Sequence, residues 1–217
     1  KIKELRPLTS IPFDSHLMIN EPVKHVKDYI DAGSDIITVH AEVTDESSFG
    51  EIHDLLKQNQ VSVGFAINPD TELPEWSYKF LPSLDQLLVM SVVPGKSGQK
   101  YIEETHAKMA RLNSILKEHN FSGYIEADGG INLENIGSAF ADGARVFVGG
   151  GAIIGQQDVR MAIRDFRDAV LKSRRQSLLE KANELGGVDL VNKWIGLHVI
   201  GQKQEQLKKI AQEIGYL

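Results

Sequence analysis

Short apolar runs alternate with amphipathic stretches over the first 175 residues or so. Runs rich in β-branched and large apolar residues predict strands at 11–19, 35–41, 61–67, 84–92, 124–128 and 145–148. Between them, apolar positions recur at helical spacing and predict helices near 21–32, 49–58, 73–80, 102–118, 133–142 and 157–174. The punctuation agrees with this reading. Asn20-Glu21-Pro22 opens a helix with a cap and an early proline, and Gly33 closes it. Lys1 to Leu8 is basic and amphipathic and reads as the end of a helix. The strands are apolar on both faces, as expected of a parallel sheet covered by helices.

Six strand–helix units in succession are too regular for an α+β fold. The lips of successive strands carry His16, His40, Asn68, Met90, Asp128 and a glycine run. Polar side chains at the ends of several strands favour a barrel over an open sheet, whose ligand would sit at a single switch point. The expected fold class is α/β, a TIM (β/α)8-type barrel with six of its eight units visible over residues 1–175. The absent pair is expected before residue 1. Beyond Arg174 the pattern changes. A helical stretch from Gln176 to Leu185, a break at Gly186-Gly187, helically spaced Val191, Trp194, Ile195, His198 and Val199, and an amphipathic Lys203 to Ile214 predict a helical C-terminal extension over 176–217.

Composition narrows the chemistry. The net charge is −6 with acids and bases interspersed, so neither a nucleic acid nor a membrane surface is the expected partner. The chain has no cysteine, which removes disulfide, thiolate-metal and cysteine-nucleophile readings together. No apolar run approaches the roughly 18 residues of a membrane span, and no signal-peptide pattern opens the chain, so a cytoplasmic protein is expected. The chain begins with Lys1 rather than Met, as a processed, truncated or incompletely represented chain would.

The candidate site centres on Tyr124-Ile125-Glu126-Ala127-Asp128-Gly129-Gly130-Ile131. Asp128 reads either as a helix cap or as an acid at the lip of a strand. Gly149-Gly150-Gly151 follows the next strand, where barrels commonly hold phosphate through backbone N–H groups. Pro94-Gly95-Lys96-Ser97-Gly98-Gln99 is a third glycine-bearing lip, without Walker spacing, and reads as a flap over the same phosphate with Lys96 as an extra charge. His16 is either a core histidine or, with Asp128 across from it, a ligand for zinc, iron, manganese or cobalt. Two ligands alone make a poor metal site. His40 reads as packing or pocket lining. His25, His53, His106, His119 and His198 read as solvated or structural. Met18 and Met90 are core filler or a polarisable apolar lid beneath a reacting carbon.

Together these residues resemble the ribulose-phosphate 3-epimerase family. Phe13-Asp14-Ser15-His16-Leu17-Met18 resembles its third-strand motif, Ile37-Thr38-Val39-His40-Ala41-Glu42 its fourth, and Met90 to Lys100 its sixth with the flexible loop. Glu126-Ala127-Asp128-Gly129-Gly130-Ile131 resembles the seventh, and Val148-Gly149-Gly150-Gly151-Ala152-Ile153 the eighth. The resemblance implies a TIM barrel that inverts C3 of a phosphorylated ketopentose through an enediolate, a step of the pentose phosphate pathway. It also implies two aspartates on opposite faces, and a divalent metal held by two histidines and those aspartates. Asp128 matches one acid/base and metal ligand, and His16 one metal ligand. Met18 and Met90 match residues near the reacting centre. Gly95 to Gly98, Gly129, Gly130, Gly150 and Gly151 match the phosphate-binding backbone. The expected partners are a small phosphosugar and further copies of the chain in a homo-oligomer.

The departures are specific. The first two family strands, with a serine, a histidine and the second aspartate, have no counterpart. Lys96 and Ser97 replace an aromatic and a glycine of the flexible loop, Gly151 replaces a serine, and the tail is outside the family pattern. With the second aspartate missing, the chain alone is expected to be inactive or nearly so. Two alternatives follow, a non-catalytic phosphosugar-binding or scaffold barrel and an epimerase of another ketose phosphate such as allulose 6-phosphate.

Overall fold

The computed structural model describes residues 1–95 and 98–184. Lys96, Ser97 and the helices expected beyond residue 185 lie outside the described residues. Six strands form one parallel sheet, β1 (Asp14–Leu17), β2 (Ile36–His40), β3 (Ser62–Ile67), β4 (Gln86–Met90), β5 (Tyr124–Asp128) and β6 (Ala144–Val148). Each pairs only with its neighbours in sequence, in the order β1-β2-β3-β4-β5-β6. This sequential order has no switch point, and it gives a half-barrel with β1 and β6 at its edges.

The helices are α1 (Ile2–Leu5), α2 (Val26–Ala32), α3 (Glu46–Gln58), α4 (Glu104–Glu118), α5 (Ile136–Ala141) and α6 (Val159–Glu184). α3 starts at a capping box in which the Asp45 carboxylate accepts from the Ser48 amide at 2.8 Å and the Ser48 hydroxyl accepts from the Asp45 amide at 2.9 Å. Its Phe49, Ile52 and Leu56 form one buried stripe, and the Phe49 ring meets Phe65 of β3 edge-on at 4.7 Å between centroids. Every residue of β4 is buried, as both faces of a covered parallel strand should be.

Local chemistry shortens or reshapes several expected helices. The 73–80 segment is a 3-10 helix at Glu75–Ser83, in which Pro82 removes an amide donor an α-helix would use. The helix expected from 21 starts as a 3-10 turn, Pro22–Lys24, ahead of α2. α5 begins late because the Asn132 side chain accepts from the Glu134 amide at 2.8 Å and holds residues 132–135 in a turn. α6 runs unbroken past residue 175, so the barrel's last helix and the first part of the expected extension are one element.

Candidate functional site

The C-terminal ends of β1, β4, β5 and β6 surround a cavity of about 630 Å3, and Asp128 is the one carboxylate that lines it among the described residues. Its floor is apolar. Met90 is 3% exposed, whereas Met18, at the open β1 edge, is 53% exposed. Backbone at Gly95, Gly98, Gly129, Gly130, Gly150 and Gly151 lines much of the rest, with Gln99 and Asn132 beside it. Gly129 and Gly130 adopt φ of 121° and 64°, and a Cβ on them would fall 2.5 Å from Val92 and 2.6 Å from the Tyr101 amide nitrogen. Only glycine lets these two turns pack that closely. A Cβ on Gly150 or Gly151 would meet nothing within 4 Å, so these two residues are open towards the cavity. Ser91 fixes the lip of β5, its hydroxyl donating to the carbonyl oxygens of Asp128 at 3.0 Å and Gly129 at 2.6 Å.

From Asp128 a line of side chains crosses to β2. His16 Nδ1 lies 3.2 Å from Asp128 Oδ2, and His16 Nε2 lies 2.7 Å from His40 Nε2. His40 Nδ1 lies 3.0 Å from Glu42 Oε2, and Glu42 Oε1 accepts from the Asn68 amide at 2.7 Å. The two imidazole planes differ by 14° with centroids 4.9 Å apart, as expected of coplanar rings meeting nitrogen to nitrogen. Desolvation by itself would raise the Glu42 carboxyl. Hydrogen bonds from His40, Thr71 and the Asn68 amide outweigh it and bring the group down to about 2.

Beneath Asp128 lies a polar layer. Gln86 Nε2 donates to Asp14 Oδ2 at 2.9 Å and to Thr38 Oγ1 at 3.1 Å. Glu126, two residues before Asp128 on β5, is 4% exposed. Burial, then Asp14 and Asp128, push its carboxyl up to about 8. Glu126 Oε2 and Gln86 Oε1 are buried without a hydrogen-bond partner.

The structure therefore brings His16, Asp128, Met90 and the described glycines to one lip, with Met18 at its edge. Lys96 and Ser97 of the expected flap lie outside the described residues. His16 and Asp128 supply two donors, and no cluster of three or more candidate ligands occurs among the described residues. These residues alone do not fit a divalent metal, which needs three or more protein groups. His53 meets Ser83 at 2.9 Å, His106 meets Asp142 at 2.5 Å, and His119 stacks on Tyr78. His198 is outside the described residues. Glu42 and the Asp14–Gln86–Glu126 layer carry no signal in the sequence beyond a His-x-Glu spacing at a strand end and a Glu-x-Asp spacing on one face of β5.

A model of the ribulose-phosphate 3 epimerase family matches residues 1–154. The chain belongs to this family. It is 36% identical over 166 residues to the chloroplastic ribulose-5-phosphate-3-epimerase of Arabidopsis thaliana, covering 76% of this chain and 59% of that one. It is 35% identical to the ribulose-phosphate 3-epimerase of Bacillus subtilis (strain 168), covering 76% of each, and 36% identical to that of Escherichia coli (strain K12), covering 74% of this chain and 70% of that one. The chain thus spans less than two thirds of the length of the plant relative. Among solved structures, KGPDC from Streptococcus mutans superposes with a TM-score of 0.63 at 13% identity, covering 79% of this chain and 78% of that one. 3-Hexulose-6-phosphate synthase from Salmonella typhimurium superposes with a TM-score of 0.58 at 21% identity over the same shares. These two show the fold. No helix among the described residues is long and apolar enough to cross a membrane.

Proposed function

We propose that the protein acts on C3 of ribulose 5-phosphate, with Asp128 as the acid/base on one face of the sugar. The observation that carries this reading is the position of Asp128, the one carboxylate lining the cavity among the described residues, in a wall whose other members are apolar residues, glycines and the uncharged amides Gln99 and Asn132. A carboxylate so placed can take the C3 proton and return it, and an apolar surround strengthens its interaction with the developing charge. Gly129, Gly130, Gly150 and Gly151 present backbone to the phosphate, which fixes the substrate at its remote end. Met90, with Met18 beside it, supplies a soft apolar floor under the reacting carbons.

Exchange of the C3 proton needs one base, whereas inversion needs a second group on the opposite face. The test is therefore label exchange. Ribulose 5-phosphate is incubated with the protein in D2O and deuterium at C3 is followed by proton NMR. Exchange at C3 that saturates with substrate is expected, and allulose 6-phosphate run in parallel gives the preference between ketoses. Saturable binding of the phosphosugar by calorimetry with no exchange would replace the reading with a non-catalytic binder. A single carboxylate in the cavity is the observation that favours that second reading.

A further inference from the structure

The line from Asp128 to Glu42 has a direction. A carboxylate held down at about 2 is ionised at neutral pH and can only accept, so the proton on the neutral His40 ring sits at Nδ1, facing Glu42. His40 Nε2 is then a lone pair. Across the 2.7 Å contact, His16 must donate from Nε2, which leaves Nδ1 of the neutral His16 ring as a second lone pair. That lone pair points at Asp128 Oδ2, 3.2 Å away.

We propose that Glu42 and His40 are positioning residues that fix the tautomer of His16, so that its Nδ1 faces Asp128 as an acceptor. Two acceptors at that distance repel unless a proton lies between them, so Asp128 Oδ2 receives no hydrogen bond from His16 and is kept as a bare acceptor beside the cavity. Neither positioning residue lines the cavity. Both act through His16, as partners on the far nitrogen of a functional histidine commonly do. The surroundings keep the arrangement rigid. His40 is 5% exposed, its carbonyl accepts from Thr44 Oγ1 at 2.8 Å, and Glu42 is anchored at its other oxygen by the Asn68 amide. The catalytic meaning rests on the epimerase reading above. The hydrogen-bond direction does not, so the two fail separately.

The near-isosteric change Glu42→Gln tests the direction. The amide introduced there has one oxygen, which the Asn68 N–H requires, so its NH2 faces His40 Nδ1 and must donate. Every bond then reverses. His40 accepts at Nδ1 and donates from Nε2, and His16 accepts at Nε2 and carries its proton at Nδ1, bonded to Asp128. The whole chain is labelled with 15N-histidine. Long-range 1H–15N spectra are recorded at mildly alkaline pH, with signals assigned through His16→Asn and His40→Asn. In the wild type, His40 is expected as the Nδ1–H tautomer and His16 as the Nε2–H tautomer, and in Glu42→Gln both are exchanged. A wild-type His40 protonated at Nε2 overturns the proposal. So does an unchanged His16 tautomer in a Glu42→Gln protein whose amide spectrum is otherwise native. If that variant does not fold, the wild-type His40 spectrum still decides, because an unconstrained imidazole in water favours the opposite tautomer.

Discussion

Glu126 gives the protein a pH-dependent stability that one substitution should remove. Its carboxyl rises from 4.5 to about 8, chiefly through burial and then through Asp14 and Asp128. At about 1.4 kcal/mol per pH unit, the rise from 4.5 to about 8 disfavours the ionised form in the folded protein by several kcal/mol. The folded state keeps a proton that the unfolded chain has already released between pH 4.5 and about 8. The stability tied to that proton is thus complete below pH 4.5 and falls as pH rises to about 8, by about 1.4 kcal/mol per pH unit. Glu42 does not confuse the measurement. Its group is lowered to about 2, so its contribution is complete above pH 4.5 and is lost only in acid. Urea unfolding followed by far-UV circular dichroism at pH 5.5 and pH 7.5 is expected to show a loss of roughly 2–3 kcal/mol for the wild type. Glu126→Gln, which imitates the protonated acid and can still donate to Asp14, should match the wild type only below pH 4.5, already exceed it by about 1.4 kcal/mol at pH 5.5, show little slope, and lead by more at pH 7.5. A wild-type slope equal to that of Glu126→Gln would refute the account of this layer.

Two further outcomes concern the site's frame. Lys108 is buried and donates to the carbonyls of Asn68 and Thr71 at 2.5 Å each and of Pro69 at 3.2 Å. Lys108→Met strands those acceptors and should cost about 2–4 kcal/mol in urea unfolding, and a loss under about 1 kcal/mol would contradict it. Gly130→Ala places a Cβ 2.6 Å from the Tyr101 amide nitrogen and must move the turn, so calorimetric affinity for ribulose 5-phosphate should fall by about tenfold or more. Gly151→Ser enters open space and should leave that affinity within about twofold, which separates backbone strain from loss of flexibility.

The strands were legible because their signal is local. β2, β3 and β4 are rich in apolar and β-branched residues on both faces, as burial on both faces demands wherever a strand lies inside a barrel. Helix ends were less legible. Whether Asn132 turns the chain before α5, or Pro82 favours a 3-10 path, depends on hydrogen bonds that no periodicity reports. At the site, Asp128 and the glycines announced themselves by residue type and spacing. Glu42 did not, because its importance lies in a bond to His40 and, through that ring, to a side chain on another strand. The polar layer was hidden for a similar reason. Asp14 and Gln86 are 72 positions apart and meet only when β1 curves towards β4.

We propose that Asp128 moves the C3 proton. The most direct test compares the wild type with Asp128→Asn by C3 deuterium exchange of ribulose 5-phosphate in D2O, with ligand affinity measured alongside. The substitution keeps shape and removes the base, so exchange should fall by about 10²–10⁴-fold while phosphosugar affinity changes by less than tenfold. Exchange at the wild-type rate in Asp128→Asn would contradict the claim.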